Sequence, residues 1–469
     1  MHFFKNRRIF TSLTSLFFIQ LILILGFVYF GAFVNSNVDV SEPFSNGNIK
    51  FINKDSVDSS KSNKIHHQYS TPTFMKLVNN DQFSNHFLRI QKEVTISSDI
   101  TEKLHLQKIC FKEGVQAPIE LTRASHDVNN KTEYYSDLSA CICQPEWHGH
   151  ACSEPEIIWR AFIASRQPMS NPPKIIKHPH NVFYIIEGVT SINMETLEIQ
   201  MLELINIVNL FVICDLIKVE DSSILMKHQM NKGFLQSFKD QILLVKDETC
   251  SSGNVYRQMK KILGSQIHPL DVLIYGHRDE ILNRKAVKYL KWHSNWPQPL
   301  RFRLKWNVYG FFFQHPDKTV ISSIACQINV FEQIYGSDAN KIQSNQNSPT
   351  IITVGDLNHI GGWFCEFCHQ PIDIIRKLHL DSKIITNKSN DPLKETYHRK
   401  PIINIEFVQN LIQHGLYIDG KLQLKKLQHY NDVKYFSPES VTKDRWKFDN
   451  IVSNFFSKWD DGLENDDDY

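Results

Sequence analysis

The stretch Asp271-Val-Leu-Ile-Tyr-Gly-His-Arg-Asp-Glu-Ile281 decides the fold. Val272 to Tyr275 is a short apolar run of the kind a strand shows when both of its faces are buried. Gly276, His277 and Arg278 then break the run and deliver Asp279 and Glu280 just past its carboxyl end, where open α/β sheets hold their ligands. Three similar runs precede it, Val182 to Ile186, Leu210 to Cys214 and Ile242 to Val245. Between the first two, Met194, Leu197, Met201, Leu202 and Leu204 recur at helical spacing with Glu195, Glu198 and Glu203 interleaved, which predicts a crossover helix. Further helices are expected over Val255 to Leu263, Ile281 to Trp292 and Ile403 to His414, the last closed by Gly415. Strands alternating with helices imply an α/β domain over residues 175–445, with a mainly parallel sheet and helices on both faces.

Outward from this core the chain changes character. Residues 9–34 carry no charge. At about 1.5 Å per residue they exceed the roughly 30 Å of a bilayer's hydrocarbon layer. Lys5, Arg7 and Arg8 precede the run, while Asp39 and Glu42 are the first charges after it. The positive-inside rule then leaves residues 1–8 in the cytosol and the remainder in the lumen, a single-pass type II arrangement. A cleaved signal peptide is the rival, but the run is longer than an ordinary apolar signal region. Residues 35–105, rich in Ser, Asn, Asp and Lys, read as a stem or a tolerated linker with a short helix near Gln82 to Val94. Residues 446–469 read as an acidic tail.

The net charge of +2 comes from 52 bases and 50 acids spread along 469 residues, so no general affinity for nucleic acid is expected. All nine cysteines follow residue 34, in keeping with an oxidising compartment, and the odd count leaves one thiol free or pairing between chains. A dimer through the stem or that cysteine is one consequence. Asn130 and Asn387 begin glycosylation acceptor tripeptides usable only in the lumen. Within residues 106–155, Cys141-Ile-Cys143 followed by Trp147, Gly149 and Cys152 resembles the closing half of an epidermal-growth-factor-like module. There Gly149 would permit the turn that joins Cys143 to Cys152, and Cys110 would then pair with Cys141. Cys365 and Cys368 are expected to find disulfide partners elsewhere in the domain rather than to hold zinc, because no second pair stands at ligand spacing.

Asp279 is the first candidate for a metal ligand, since it stands where such a sheet holds its ligand and carboxylate oxygens hold Mn²⁺ or Mg²⁺, which would neutralise the charge of a phosphate-bearing ligand. His277 or Glu280 would assist it. The alternative is that Asp279 and Glu280 cap a helix starting near Ile281. Glu280 is also the nearest candidate for the catalytic base, with Glu187, Asp215 and Asp356 behind it. Asp215, at a strand end, is a candidate to accept from a nucleoside's base N–H, such as that of uracil, or a ribose hydroxyl, a strand-end turn former being the alternative. His359 and Trp363, in a Gly-Gly loop, offer an imidazole and an aromatic face on which a base or a sugar ring could stack, with burial as core the alternative for the indole. The run Phe311 to Phe313 reads as a buried strand.

Six passages in order, from about Cys110 to Gly420, resemble the β-1,4-mannosyl-glycoprotein 4-β-N-acetylglucosaminyltransferase family, the bisecting N-acetylglucosaminyltransferases. They are Cys141 to Cys152, Leu210 to Asp215, Asp271 to Ile274 with Asp279-Glu-Ile281, Val308 to Phe313 with Pro316, His359 to Trp363 with Cys365 and Cys368, and Gly415 to Gly420. The resemblance implies a nucleotide-sugar-binding GT-A-like fold in a Golgi type II membrane enzyme. It also implies inverting transfer of N-acetylglucosamine from UDP-GlcNAc to the core β-mannose of an N-glycan, with a divalent metal, Mn²⁺ first. The chain departs from the family in placing His277 where a carboxylate is usual, and in following Asp215 with Leu-Ile-Lys rather than a polar, Gly-containing run. The alternative is therefore a catalytically weakened or inactive member acting as a lumenal glycan-binding or scaffolding protein. A surface adhesion protein using the cysteine module is a more distant rival.

Overall fold

A computed structural model describes residues 82–95, 103–116, 141–164, 171–216, 226–247, 250–344, 351–386, 403–427 and 435–457. The anchor expected at residues 9–34 and the acceptor sites at Asn130 and Asn387 lie outside the described residues. Among the described residues no helix is long and apolar enough to cross a membrane.

In chain order the strands are β1 (Phe87–Thr95), β2 (Lys103–Phe111), β3 (Trp147–His148), β4 (Glu154–Pro155) and β5 (Lys174–Ile175). Then come β6 (Val182–Val189), β7 (Leu210–Leu216), β8 (Ile242–Asp247), β9 (Val272–His277), β10 (Glu280–Leu282) and β11 (His293–Ser294). The last are β12 (Leu300–Val308), β13 (Gly310–Gln327), β14 (Ile352–Val354), β15 (Gly362–Glu366) and β16 (Lys425–Lys426). Ten of them form one sheet in the order β10-β15-β12-β13-β9-β6-β7-β8, with β14 beside β12 and β16 beside β13.

The sheet is mixed rather than mainly parallel. β6 runs parallel to β7 and β9, β7 to β8, and β12 to β14 and β15. The long β13 runs antiparallel to β9, β12 and β16, and β10 antiparallel to β15. The apolar run in β13 did not announce its direction, because a buried antiparallel strand and a buried parallel one have the same composition.

Alternation along the central strands divides the core into two layers. Val182, Tyr184 and Ile186 join one cluster with Phe211, Ile213, Val272 and Ile274. Phe183 and Ile185 join the other with Leu210, Val212, Leu273 and Tyr275. Successive side chains of a strand point to opposite faces, so both faces must be covered. Helix Ser252–Leu263 covers one with Val255, Tyr256, Met259 and Leu263. Helices Met194–Glu203 and Arg284–Trp292 cover the other with Leu197, Met201, Val287 and Leu290. Helix Ile405–His414 ends at Gly415 in the left-handed region, φ 64°.

Two boundaries differ from expectation. Arg284–Trp292 starts three residues later than the apolar pattern suggested, because Glu280–Leu282 is drawn into β10 by pairing with Gly362–Phe364 and Asn283 caps the helix by accepting from Lys285 N. The expected helix near Gln82 to Val94 is limited to Phe83–His86, after which β1 pairs with β2 along its length and Phe87 packs on Trp292. Past residue 445, Phe448, Ile451 and Val452 are buried in the main core, so the folded chain continues into the segment read as a tail.

Eight cysteines are bridged, as Cys110–Cys141, Cys143–Cys152, Cys214–Cys250 and Cys365–Cys368. The last bridge corrects the expectation of distant partners: Phe367 adopts φ 55°, and the resulting turn brings the two Cα atoms to 5.5 Å. The ninth, Cys326, is buried at 1 % exposure, which closes it to a bond between chains, and burial pushes its thiol up to about 12.

Candidate functional site

From β6 the chain moves outward to β7 and β8, then returns to the opposite side of β6 as β9. The loops after β6 and β9 therefore lie at the reversal of strand order, the crevice where open parallel arrangements take ligands. Glu187 stands opposite His277 across these two strands. Gly188, near the end of β6, takes φ 71°, in the left-handed region that glycine enters without strain, where the pairing with β7 is irregular.

Asp279 sits in the second loop and is buried. Its Oδ1 accepts from Asn193 Nδ2 at 2.7 Å, and its Oδ2 accepts from Lys377 Nζ at 2.8 Å. Arg278 Nε and His277 Nδ1 stand 3.6 and 3.7 Å from the same Oδ2. Burial alone would raise this carboxyl, but Lys377 and then Arg278 hold it well below the usual carboxylate range. His369, pushed down to about 3 by burial and by Lys377, completes the surround and faces Asn193 Nδ2 at 3.3 Å. The loop is fixed from behind, since Gln200 Nε2 donates to the carbonyls of His277 and Arg278.

Holding a divalent cation takes free carboxylate oxygens and several hard donors. Both oxygens of Asp279 are already engaged, and its neighbours are a lysine, an arginine and two imidazoles. Among the described residues no group of three His, Cys, Asp or Glu side chains is arranged to hold a metal ion. The arrangement does not fit the expected ligand pair of Asp279 and His277. Neither does Asp279 cap a helix, because the residues after it enter β10.

Glu280, the expected base, is turned inward. Its Oε2 accepts from Ser323 Oγ and from His277 N, and burial raises its carboxyl. These two bonds brace the loop between β9 and β10. Glu187 is likewise engaged, accepting from Tyr275 OH at 2.6 Å. Asp215 lies in β7 opposite Val189 and Lys246; its side chain lies outside the described residues. Asp356 and His359 pair at 3.3 Å, and His359 Nε2 faces Glu156 at 4.0 Å, in contacts separate from those of Asp279. Trp363 is buried within β15 and donates from Nε1 to Tyr435 O at 3.1 Å, so it is core rather than an open stacking face.

The residue that sequence reading missed is Glu366, at the end of β15. It is 4 % exposed, and its Oε2 accepts from Trp306 Nε1 at 2.7 Å and Tyr417 OH at 3.0 Å. Burial pushes its carboxyl up to about 7, against those bonds and the pull of Lys377, and the charge of Asp279 adds to the rise. Lys377 thus acts on both acids. The two lie close in the fold, since Cys365 N donates to Asp279 O at 2.8 Å. Beside Glu366, Tyr309 takes a positive φ of 63° that an aromatic residue rarely adopts, and its buried hydroxyl has no hydrogen-bond partner. Strain and an unpaired donor beside an acid poised near neutrality mark functional sites. The sequence signal was a single acid between two cysteines, which carries no such meaning alone.

Comparison with known proteins finds relatives that share one name. The chain is similar to β-1,4-mannosyl-glycoprotein 4-β-N-acetylglucosaminyltransferase of Mus musculus, 24 % identical over 319 residues, covering 60 % of this chain and 56 % of the relative. It is similar to the Homo sapiens protein of the same name at 22 % over 350 residues, covering 67 % and 62 %. The match thus spans less than two thirds of the length of these relatives. No protein-family model matches. A solved structure, the mannosyltransferase PcManGT from Pyrobaculum calidifontis in complex with GDP-Man and Mn²⁺, aligns with a TM-score of 0.29 and 11 % identity, over 54 % of this chain and 76 % of that one; at that score the likeness carries no argument.

Proposed function

We propose that the chain is a glycosyltransferase that moves N-acetylglucosamine from UDP-GlcNAc to the core β-mannose of an N-glycan, with inversion at the anomeric carbon. The similarity to the bisecting enzymes supplies the donor and acceptor in this reading. The observation that carries the chemistry is the meeting of Arg278 and Lys377 at Asp279, at the sheet's reversal point, close to Glu366, an acid whose carboxyl is pushed to about 7.

The acceptor hydroxyl attacks the anomeric carbon of the donor sugar from the face opposite the diphosphate. Its proton passes to Glu366, the carbon–oxygen bond to the acceptor forms, and the nucleoside diphosphate leaves with the electron pair of the broken bond. A base works best when its pKa lies near the working pH. Glu366, raised to about 7, meets that requirement. The donor hydrogen bonds of Trp306 and Tyr417 hold one carboxylate oxygen in place, and Tyr309 offers a hydroxyl with no other claim on it. The protein acts in the lumen of the Golgi, anchored by residues 9–34.

The test is incubation of the purified chain with a panel of nucleotide sugars and biantennary N-glycans, read by mass spectrometry. A gain of one N-acetylhexosamine from UDP-GlcNAc alone is expected. Glycan binding without transfer or donor hydrolysis would favour the scaffolding alternative.

A further inference from the structure

Resting on the donor chemistry proposed above, we infer that the negative charge of the donor's diphosphate is met by the side chains of Arg278 and Lys377 rather than by a bound divalent cation. The two bases and Asp279 form a group with one positive charge in surplus, Arg278 and Asp279 coming from the loop at the end of β9 and Lys377 from helix Pro371–Thr386. Asp279 is the positioning residue. Its carboxylate fixes Lys377 at 2.8 Å and stands 3.6 Å from Arg278 Nε, so both cations are pre-set before a ligand arrives.

Arg278 also shows an unmet need. Its Nη1 donates to Gly188 O at 2.8 Å, but its buried Nε has no hydrogen-bond partner, the 3.6 Å approach to Asp279 being too long for one. A guanidinium presents several N–H groups in a fork that matches phosphate oxygens, and an unpaired buried N–H is costly until an acceptor arrives. The carbonyls of His277 and Arg278, which would repel a phosphate, are occupied by Gln200 Nε2 on the inner side of the loop. The side chain of His277, 40 % exposed, marks where the group opens to solvent. A divalent cation at the same point would have to displace Lys377 from Asp279 and sit beside Arg278.

The electrostatics follow the bond changes. As the bond between the anomeric carbon and the β-phosphate oxygen breaks, its electron pair collects on that oxygen. Arg278 and Lys377 offset the charge with groups already in place, so no reorganisation is needed as it develops.

Isothermal titration of uridine diphosphate into the purified chain, in EDTA and then in excess Mn²⁺, tests the inference. Binding in EDTA is expected, with Mn²⁺ changing the affinity by less than about threefold, within what a non-specific ion effect gives. Arg278→Gln should weaken binding by about tenfold or more, and Arg278→Lys, which keeps the charge, by less. His277→Asp, which adds a second carboxylate, should make binding rise with Mn²⁺. Binding that appears only with Mn²⁺ overturns the inference while leaving the proposed transfer standing. Equal affinity in wild type and a folded Arg278→Gln overturns it as well. If Arg278→Gln does not fold, Arg278→Lys and the EDTA comparison decide. Absence of binding under both conditions removes the donor reading together with the inference.

Discussion

Replacing Glu366 by Gln separates stability from catalysis in a way the structure makes quantitative. The carboxyl of Glu366 lies at about 7, above its ordinary 4.5, with burial the largest cause. A raised carboxyl keeps its proton in the folded protein while the unfolded chain gives it up. The contribution to stability is therefore whole below about pH 4.5 and is lost as the pH rises through about 7. The difference corresponds to about 3 kcal/mol, taking 1.36 kcal/mol for each tenfold change in proton affinity. A glutamine keeps a carbonyl oxygen for Trp306 and Tyr417 but never ionises. Glu366→Gln should thus match the wild type in urea unfolding near pH 4.5 and exceed it by up to about 3 kcal/mol near pH 8.5. The same variant should lose transfer by roughly a hundredfold or more, as expected for removal of a general base. A stability difference that is the same at both pH values would refute the account of a dehydrated, poised acid. Retention of full transfer would refute its role as base.

The other perturbations are more local. Lys377→Met leaves Asp279 buried without its partner and should cost about 3–5 kcal/mol in denaturant unfolding, whereas adding Asp279→Asn to it should restore most of the loss; additive costs would contradict the pair. Gly362→Ala would place a Cβ 2.2 Å from Ile281 O and should cost about 1–3 kcal/mol by forcing β10 away from β15, read as a lower thermal midpoint. Asn283→Ala removes the cap of helix Arg284–Trp292 and should cost about 1 kcal/mol by the same measure. Cys214→Ser with Cys250→Ser opens a loop with a sequence separation of 36 and should cost about 2–5 kcal/mol, a difference that disappears when both proteins are measured reduced.

The sequence made the central strands and their crossover helix legible because β6 to β9 are buried on both faces, which writes continuous apolar runs into the chain. It also placed Asp279 at the end of β9. It did not carry the direction of β13, since composition is blind to it, nor the short β10, whose three residues owe their conformation to pairing with β15. Trp363 read as a stacking face or as core because Gly361 and Gly362 suggested a loop; in the fold Gly361 lets the backbone pass close to Val354 O and Gly362 close to Ile281 O. Asp279 and His277 read as a ligand pair because Lys377, 98 residues distant in sequence, was invisible to a local reading. Glu366 was missed for the same reason. Its meaning comes from Trp306 and Tyr417, which only the folded chain brings together.

Transfer measured side by side on wild type and Glu366→Gln bears most directly on the claim that this chain turns over a nucleotide sugar at the end of β9. The account predicts addition of one N-acetylglucosamine to an N-glycan by the wild type, and a loss of roughly a hundredfold or more in the variant with donor affinity kept. Failure of the wild type to transfer or hydrolyse UDP-GlcNAc at any pH, with or without Mn²⁺, would contradict it.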